Sequence, residues 1–139
     1  MGKNFQLRFV VLALALVGPL NASAAQTCTD SIEKTAPDSR YTTANGTDGT
    51  VTDDRTGLTW KRCSEGQTWN GSGCDGSAAT YDWQAALQRA QNVNGGSAGN
   101  NLGYDDWRLP SENELASLVE RACHSPAINA TTFPGTAAA

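Results

Sequence analysis

Aliphatic side chains are scarce. Beyond residue 25 the chain holds only 12 Leu, Ile, Val and Phe residues, well under the roughly 20% usual for a globular chain. A large aliphatic core is excluded. Histidine is almost absent too: His124 stands alone, and no C-x-x-C pair accompanies it. Zinc sites and Ser-His-Asp triads both need parts that are missing, so neither a metal nor a cofactor is expected. After the N-terminus no apolar run approaches the ~20 residues that span a bilayer. Positive charge is also short. The 10 Lys and Arg residues less Lys3 and Arg8 leave 8 against 14 Asp and Glu, a balance of −6. Such a surface does not suit nucleic acid or an anionic membrane.

What is present begins with a leader. Lys3 and Arg8 precede an apolar run from Phe9 to Leu20, and Ala22-Ser23-Ala24 fits a small-x-small cleavage site. Residues 1–25 read as a secretory signal peptide cut after Ala24 or Ala25, which places the remainder in the periplasm or outside the cell. In such an oxidising compartment, four cysteines read as two disulfides. Three pairings are open. Cys63 and Cys74 bracket the Gly/Ser-rich stretch CSEGQTWNGSGC and can close a local ring, which leaves Cys28 for Cys123. Trp60, Trp69, Trp83 and Trp107 are the other compensation for few aliphatics, because each indole can bury on the order of 150–250 Å².

The element pattern is short strands and two helices. Residues 26–40 read as an irregular N-terminal extension with a turn near Ile32, and residues 41–139 as one domain. Val51-Thr52, a turn over Asp53 to Gly57, and Leu58-Thr59-Trp60 make a β-hairpin. Residues 64–79 read as a loop. Trp83, Leu87 and Ala90 mark one stripe of a helix over 81–93, capped by Thr80 or Asp82 and stopped by Asn94-Gly95-Gly96. Ser111 and Glu114 form a capping box for a second helix over 112–122 that should bury Leu115, Leu118 and Val119. Pro110 keeps Leu109 extended before it. Trp107 and Leu109 then face the core, with Arg108 free to pair with Asp105, Asp106 or Glu112.

Four places invite a chemical reading. Gly95-Gly96-Ser97-Ala98-Gly99 has the G-x-S-x-G spacing of a nucleophile elbow. An elbow follows a strand, however, and here a helix precedes. Asp48, Asp53 and Asp54 near Asn45 are oxygen-rich, but the calcium-loop pattern is absent and a solvated hairpin rim is the better account. His124 lacks partners. Asp105, Asp106, Trp107 and Arg108 remain the candidate ligand-binding residues, since an aromatic ring beside carboxylates can stack on a sugar and accept from its hydroxyls.

The ordered blocks GTVTDDRTGLTWKRC, W-x-x-A at Trp83 to Ala86, DWRLPSENELASLV and PAINATTFPGT resemble the Lcl C-terminal domain family, over about residues 40–136. The resemblance implies a secreted bacterial domain of α+β, C-type-lectin-like fold, with an adhesion-like role toward a carbohydrate or a surface protein. The founding member adheres to sulfated glycans, a ligand that the acidic balance here does not favour. The R-L-P block is also similar to formylglycine-generating, sulfatase-modifying enzymes, which work through a C-terminal cysteine pair. Family members continue past the Phe133-Pro134 region with further strands, so the sheet is expected to be incomplete, its last strands missing. The expectation is a non-enzymatic binding domain. The alternatives are a fragment of a sulfatase-modifying type of enzyme and a purely structural accessory domain, which would bury all four tryptophans.

Overall fold

A computed structural model describes residues 26–43, 49–96 and 101–137. The leader, Asn45, Asp48 and Ser97 to Gly99 lie outside the described residues. The strands are β1 (Thr27–Cys28), β2 (Tyr41–Thr42), β3 (Thr50–Asp53), β4 (Thr59–Lys61), β5 (Thr68–Trp69), β6 (Cys74–Asp75) and β7 (Cys123–His124), and the helices are α1 (Trp83–Asn94) and α2 (Glu112–Ser117). All strand pairs are antiparallel. β2, β3 and β4 form a three-stranded sheet, while β1–β7 and β5–β6 are separate pairs. This is a small α+β fold with incomplete sheets. Two disulfides, Cys28–Cys123 and Cys63–Cys74, crosslink it.

The hairpin forms where the alternation calls for it, with Val51 opposite Trp60 and Thr52 opposite Thr59. Gly57 closes the turn at φ +72°, a backbone conformation that costs other residues a steric penalty. Val51, Leu118 and Phe133 make the apolar centre, flanked by Tyr41, Trp60 and Ile128. The Tyr41 and Phe133 rings meet edge to face, 5.5 Å apart.

Polar side chains complete this core. Asp53 is not on a solvated rim: its exposure is 0%. The Arg40 guanidinium donates to both its carboxylate oxygens at 2.7 and 2.5 Å, and the Arg55 amide and Thr56 hydroxyl donate at 3.0 and 2.8 Å. Of the two described aspartates of that cluster, Asp54 is the one on the rim, accepting from the Thr42 hydroxyl at 2.8 Å. Arg40 also donates to the Ser117 carbonyl at 2.8 Å, which ties the end of α2 to the sheet. Buried Glu120 accepts from the amides of Thr35, Ala36 and Ala122 at 3.1, 2.8 and 2.9 Å. Asn129 donates to the Ala36 carbonyl and to Asp38. Residues 26–43 are thereby threaded into the fold through hydrogen bonds, strand pairing and a disulfide.

Both helices depart from their sequence-based outlines. α2 stops at Ser117, not 122. The Leu118 and Val119 amides tighten onto Leu115 and Ala116, and the Glu120 amide turns away to the Ala127 carbonyl. The burial of Glu120 against Thr35 and Ala36 overrides the helical pattern. Leu118 is buried as expected, but Leu115 and Val119 are exposed. In α1 Asp82 is the cap, accepting from the Ala85 amide at 2.8 Å. Its buried side chain is Val93, whereas Leu87 is exposed and Trp83 is 72% exposed. The stripe that marks the helix does not face the core. Residues 64–79 are more than a loop, because β5 and β6 pair around an Asn70 turn in which the side-chain oxygen accepts from the Ser72 and Gly73 amides. Cys123 sits in β7, beyond the end of α2, rather than at the end of a longer helix.

Candidate functional site

The stretch DWRLPSENEL is a joint between the two helices. Asn94, the last residue of α1, donates to the Trp107 carbonyl at 2.7 Å and accepts from its amide at 2.8 Å. The indole N–H donates to the Asn101 carbonyl at 2.7 Å. At the other end, Ser111 and Glu114 close the capping box. Arg108 braces that box: its guanidinium takes both Glu114 oxygens, at 2.8 and 2.6 Å, while the Ser111 amide donates to the same carboxylate at 2.7 Å. Arg108 therefore pairs with Glu114 and not with Asp105, Asp106 or Glu112. The capping geometry already aims Glu114 backwards toward the segment that carries Arg108. The bidentate arginine, with the Ser111 amide, lowers the Glu114 pKa to about 2.

Trp107 and Leu109 do not reach the apolar centre. They line a groove of about 660 Å³ between β4, α1 and residues 104–115. Trp60 and Leu58 form one wall, Ala86, Ala90 and Val93 of α1 a second, and Tyr104, Trp107 and Leu109 a third. Tyr104 packs edge to face on Trp107 at 5.3 Å. The Lys61 ammonium lies 5.4 Å from the centre of the Trp107 ring, close enough for a cation–π attraction.

Charges at the groove are largely paired among themselves. Glu65 accepts from Lys61 at 2.5 Å and from Arg89 at 2.9 Å. Burial pushes the Glu65 pKa up, but the two cationic donors outweigh it and the net shift is downward. The wall is thus apolar and aromatic, with its cations already satisfied. Asp106, Trp107 and Arg108 line the groove, while Asp105 does not. Both aspartates are exposed. The structure brings three of the four candidate residues to one place and leaves Asp105 on the outer surface. Sequence reasoning missed Glu65, Arg89 and the β4 wall, which come from three separate elements and carry no shared motif.

Other candidates are not assembled. Among the described residues no group of three His, Cys, Asp or Glu side chains is placed to hold a metal ion. His124 is exposed on β7, with Nδ1 3.4 Å from the Ser125 hydroxyl. α1 runs directly into Gly95 and Gly96, so a helix, not a strand, precedes the G-x-S-x-G stretch. All four cysteines are in disulfides.

Fold and groove define a small, disulfide-crosslinked α+β domain with an aromatic-walled groove at the junction of its hairpin and helices. Residues 49–139 match the model of the Lcl C-terminal domain family, and the chain belongs to that family. The match takes in the hairpin, both helices and every wall of the groove. It begins after the segment that supplies Arg40 and Tyr41. No curated protein and no solved structure matches the chain.

Proposed function

We propose that this is a non-enzymatic binding domain, acting in the periplasm or outside the cell, whose ligand seats in the groove beside Trp107. The observation that carries the reading is the groove itself, because aromatic faces converge there with a few polar groups, the usual make-up of a ligand site. Trp107, Tyr104 and Trp60 offer ring surface, and Asp106 places an exposed carboxylate at the rim. A carbohydrate stacked on an indole and an apolar stretch of protein are the two ligand classes this lining serves. Adhesion to a surface through such contacts is the role that fits a lectin-like domain. Two disulfides favour an oxidising compartment. Among the described residues no helix is long and apolar enough to cross a membrane. A purely structural domain would leave the indoles covered, whereas Trp83 stands in solvent.

The test is to fill the groove from α1 with Ala90→Trp and to screen both proteins against immobilised neutral oligosaccharides and displayed peptides. Ligands of the parent protein should be lost in the variant, with the near-UV circular dichroism unchanged. Retained binding in a folded, groove-filled variant would move the site elsewhere.

A further inference from the structure

The two disulfides are nested. Cys63–Cys74 closes a ring across 11 residues, and that ring lies inside the loop of 95 residues that Cys28–Cys123 closes. Neither outer cysteine is joined to its neighbour along the chain: Cys28 passes over Cys63, and Cys123 over Cys74. The long bond also needs the assembled fold. Cys28 meets Cys123 where β1 lies directly opposite β7. That meeting is held by the Thr29 amide on the Ala122 carbonyl at 2.8 Å, by the Gln26 carboxamide on the Pro126 carbonyl at 2.8 Å, and by Glu120 on the Thr35 and Ala36 amides.

Order of supply runs against this pairing. A chain exported behind an amino-terminal leader enters the oxidising compartment with Cys28 first, then Cys63, Cys74 and Cys123. Cys28 and Cys63 thus meet the oxidant before either native partner arrives. Closure entropy favours the small Cys63–Cys74 ring, but the preference grows only with the logarithm of ring length. A Cys28–Cys63 bond takes one sulfur from each native disulfide. It therefore blocks both and leaves Cys74 to Cys123.

The native bonds are shielded once made. Cys63 and Cys123 are buried, and Gly135 packs so closely on Cys74 that a Cβ there would stand 3.0 Å from its Sγ. Exchange needs a thiolate in contact with a disulfide sulfur, so rearrangement belongs to the stage before the core closes.

We infer that this chain is a substrate of a thiol–disulfide isomerase, which converts Cys28–Cys63 and Cys74–Cys123 into the nested native pairs. The isomerase thiolate attacks Cys28 Sγ, forms a mixed disulfide there and frees the Cys63 thiolate. Cys63 attacks Cys74 Sγ, closes the small ring and frees the Cys123 thiolate. When β1 reaches β7, Cys123 attacks Cys28 Sγ and expels the isomerase thiolate. Each exchange breaks one S–S bond and forms one, no electrons enter or leave, and the isomerase is returned unchanged. The inference rests on export to an oxidising compartment and adds the reaction that must precede any binding.

To test it, the full chain, leader included, is expressed in bacteria that keep their periplasmic thiol oxidase and either keep or lack the disulfide isomerase. Free thiols are blocked at lysis, and disulfide-linked peptides are mapped by mass spectrometry. Loss of the isomerase should lower the natively linked fraction roughly threefold or more, with Cys28–Cys63 the main wrong bond. An isomerase lacking its resolving cysteine should be trapped on this chain at Cys28. Cys63→Ser combined with Cys74→Ser leaves a single possible pair, so its Cys28–Cys123 linkage should not respond to the isomerase. Linkage is read directly, so no arm depends on a variant reaching the native fold. Equal native fractions with and without the isomerase would overturn the inference. Isomerase dependence that persists in the two-cysteine variant would overturn it too, because the enzyme would then act without exchanging bonds. A mispaired pool that lacks Cys28–Cys63 would overturn the order of pairing. Four free thiols in both kinds of cell would instead overturn the exported reading on which the inference stands.

Discussion

The two sides of this molecule are held by different means. On the side built from residues 26–43, β3 and the 118–133 segment, buried polar groups carry the structure. Asp53 is enclosed with Arg40, and Glu120 with three main-chain amides. On the groove side, α1 and α2 expose Trp83, Leu87 and Leu115, and their charges pair across a surface. The contrast shows how a chain with few aliphatics distributes stability. Where apolar area is short, enclosed charges are held by multiple hydrogen bonds, which satisfy them but leave little tolerance for loss of a partner. Of the apolar side chains that remain uncovered, Tyr81, Tyr104 and Leu115 line the groove, Trp83 and Leu87 stand on α1 outside its lining, and Ile32 and Val119 belong to the other side.

Perturbing the tightly held side should bring the largest losses. Replacing both cysteines of the Cys28–Cys123 pair by serine opens a crosslink across 95 residues and should cost about 4–5 kcal/mol in the chain-entropy model. Denaturant midpoints of the two proteins give the difference directly. Asp53→Ala leaves the Arg40 guanidinium enclosed without its counter-ion, for a loss of about 3–5 kcal/mol in the same measurement. A midpoint within error of the parent would show that Arg40 finds water instead.

Glu120→Gln sharpens the comparison at a smaller scale. One of the amides on Ala36 or Thr35 then faces an N–H₂ group, and a buried unsatisfied donor costs about 1–3 kcal/mol. The acid dependence follows the same residues. Burial raises the Asp53 and Glu120 pKa values, but hydrogen bonds from Arg40, Thr56 and Arg55, and from Ala122, Ala36 and Thr35, outweigh it, so both lie below the ordinary value. Groups depressed in the folded state contribute stability that is complete above the unfolded carboxyl range near 4 and is lost as pH falls through the folded values. Urea midpoints should fall below about pH 4 in the parent. Because a carboxamide at this position does not titrate, the fall should be shallower in Glu120→Gln. An equal slope would mean Glu120 is not held as an anion.

The smallest effect belongs to the groove side. Trp83→Ser removes an exposed indole and should change the melting free energy by no more than about 0.5 kcal/mol. A loss of several times that amount would mean Trp83 is covered in solution and the two sides are not so different.

Local features were legible in the chain. The hairpin could be read because Val51, Leu58 and Trp60 alternate beside a Gly57 turn, and the second helix start because Ser111 and Glu114 are three residues apart. The Asp82 cap and the Asn94-Gly95-Gly96 stop are of the same kind. The partners of Asp53 and Glu120 were not legible. Arg40 lies 13 residues from Asp53, and Thr35 lies 85 from Glu120. No periodicity links such positions. Arg108 was placed against the wrong acids because three carboxylates lie as near in sequence as Glu114, and only the capping geometry singles one out. The groove had one visible wall, Asp106 to Leu109, and two that arrive from β4 and α1.

By itself the sequence determined the β3–β4 hairpin and its turn, the starts of both helices, the limited core and the family blocks, because each depends on residues within a few positions of one another. Tertiary structure decided which of 14 carboxylates are enclosed, where α2 ends, and that Trp83 and Leu87 of α1 face outward. These outcomes depend on competition between distant segments for the same hydrogen bonds and the same small apolar centre, and that competition is settled only when the chain is closed.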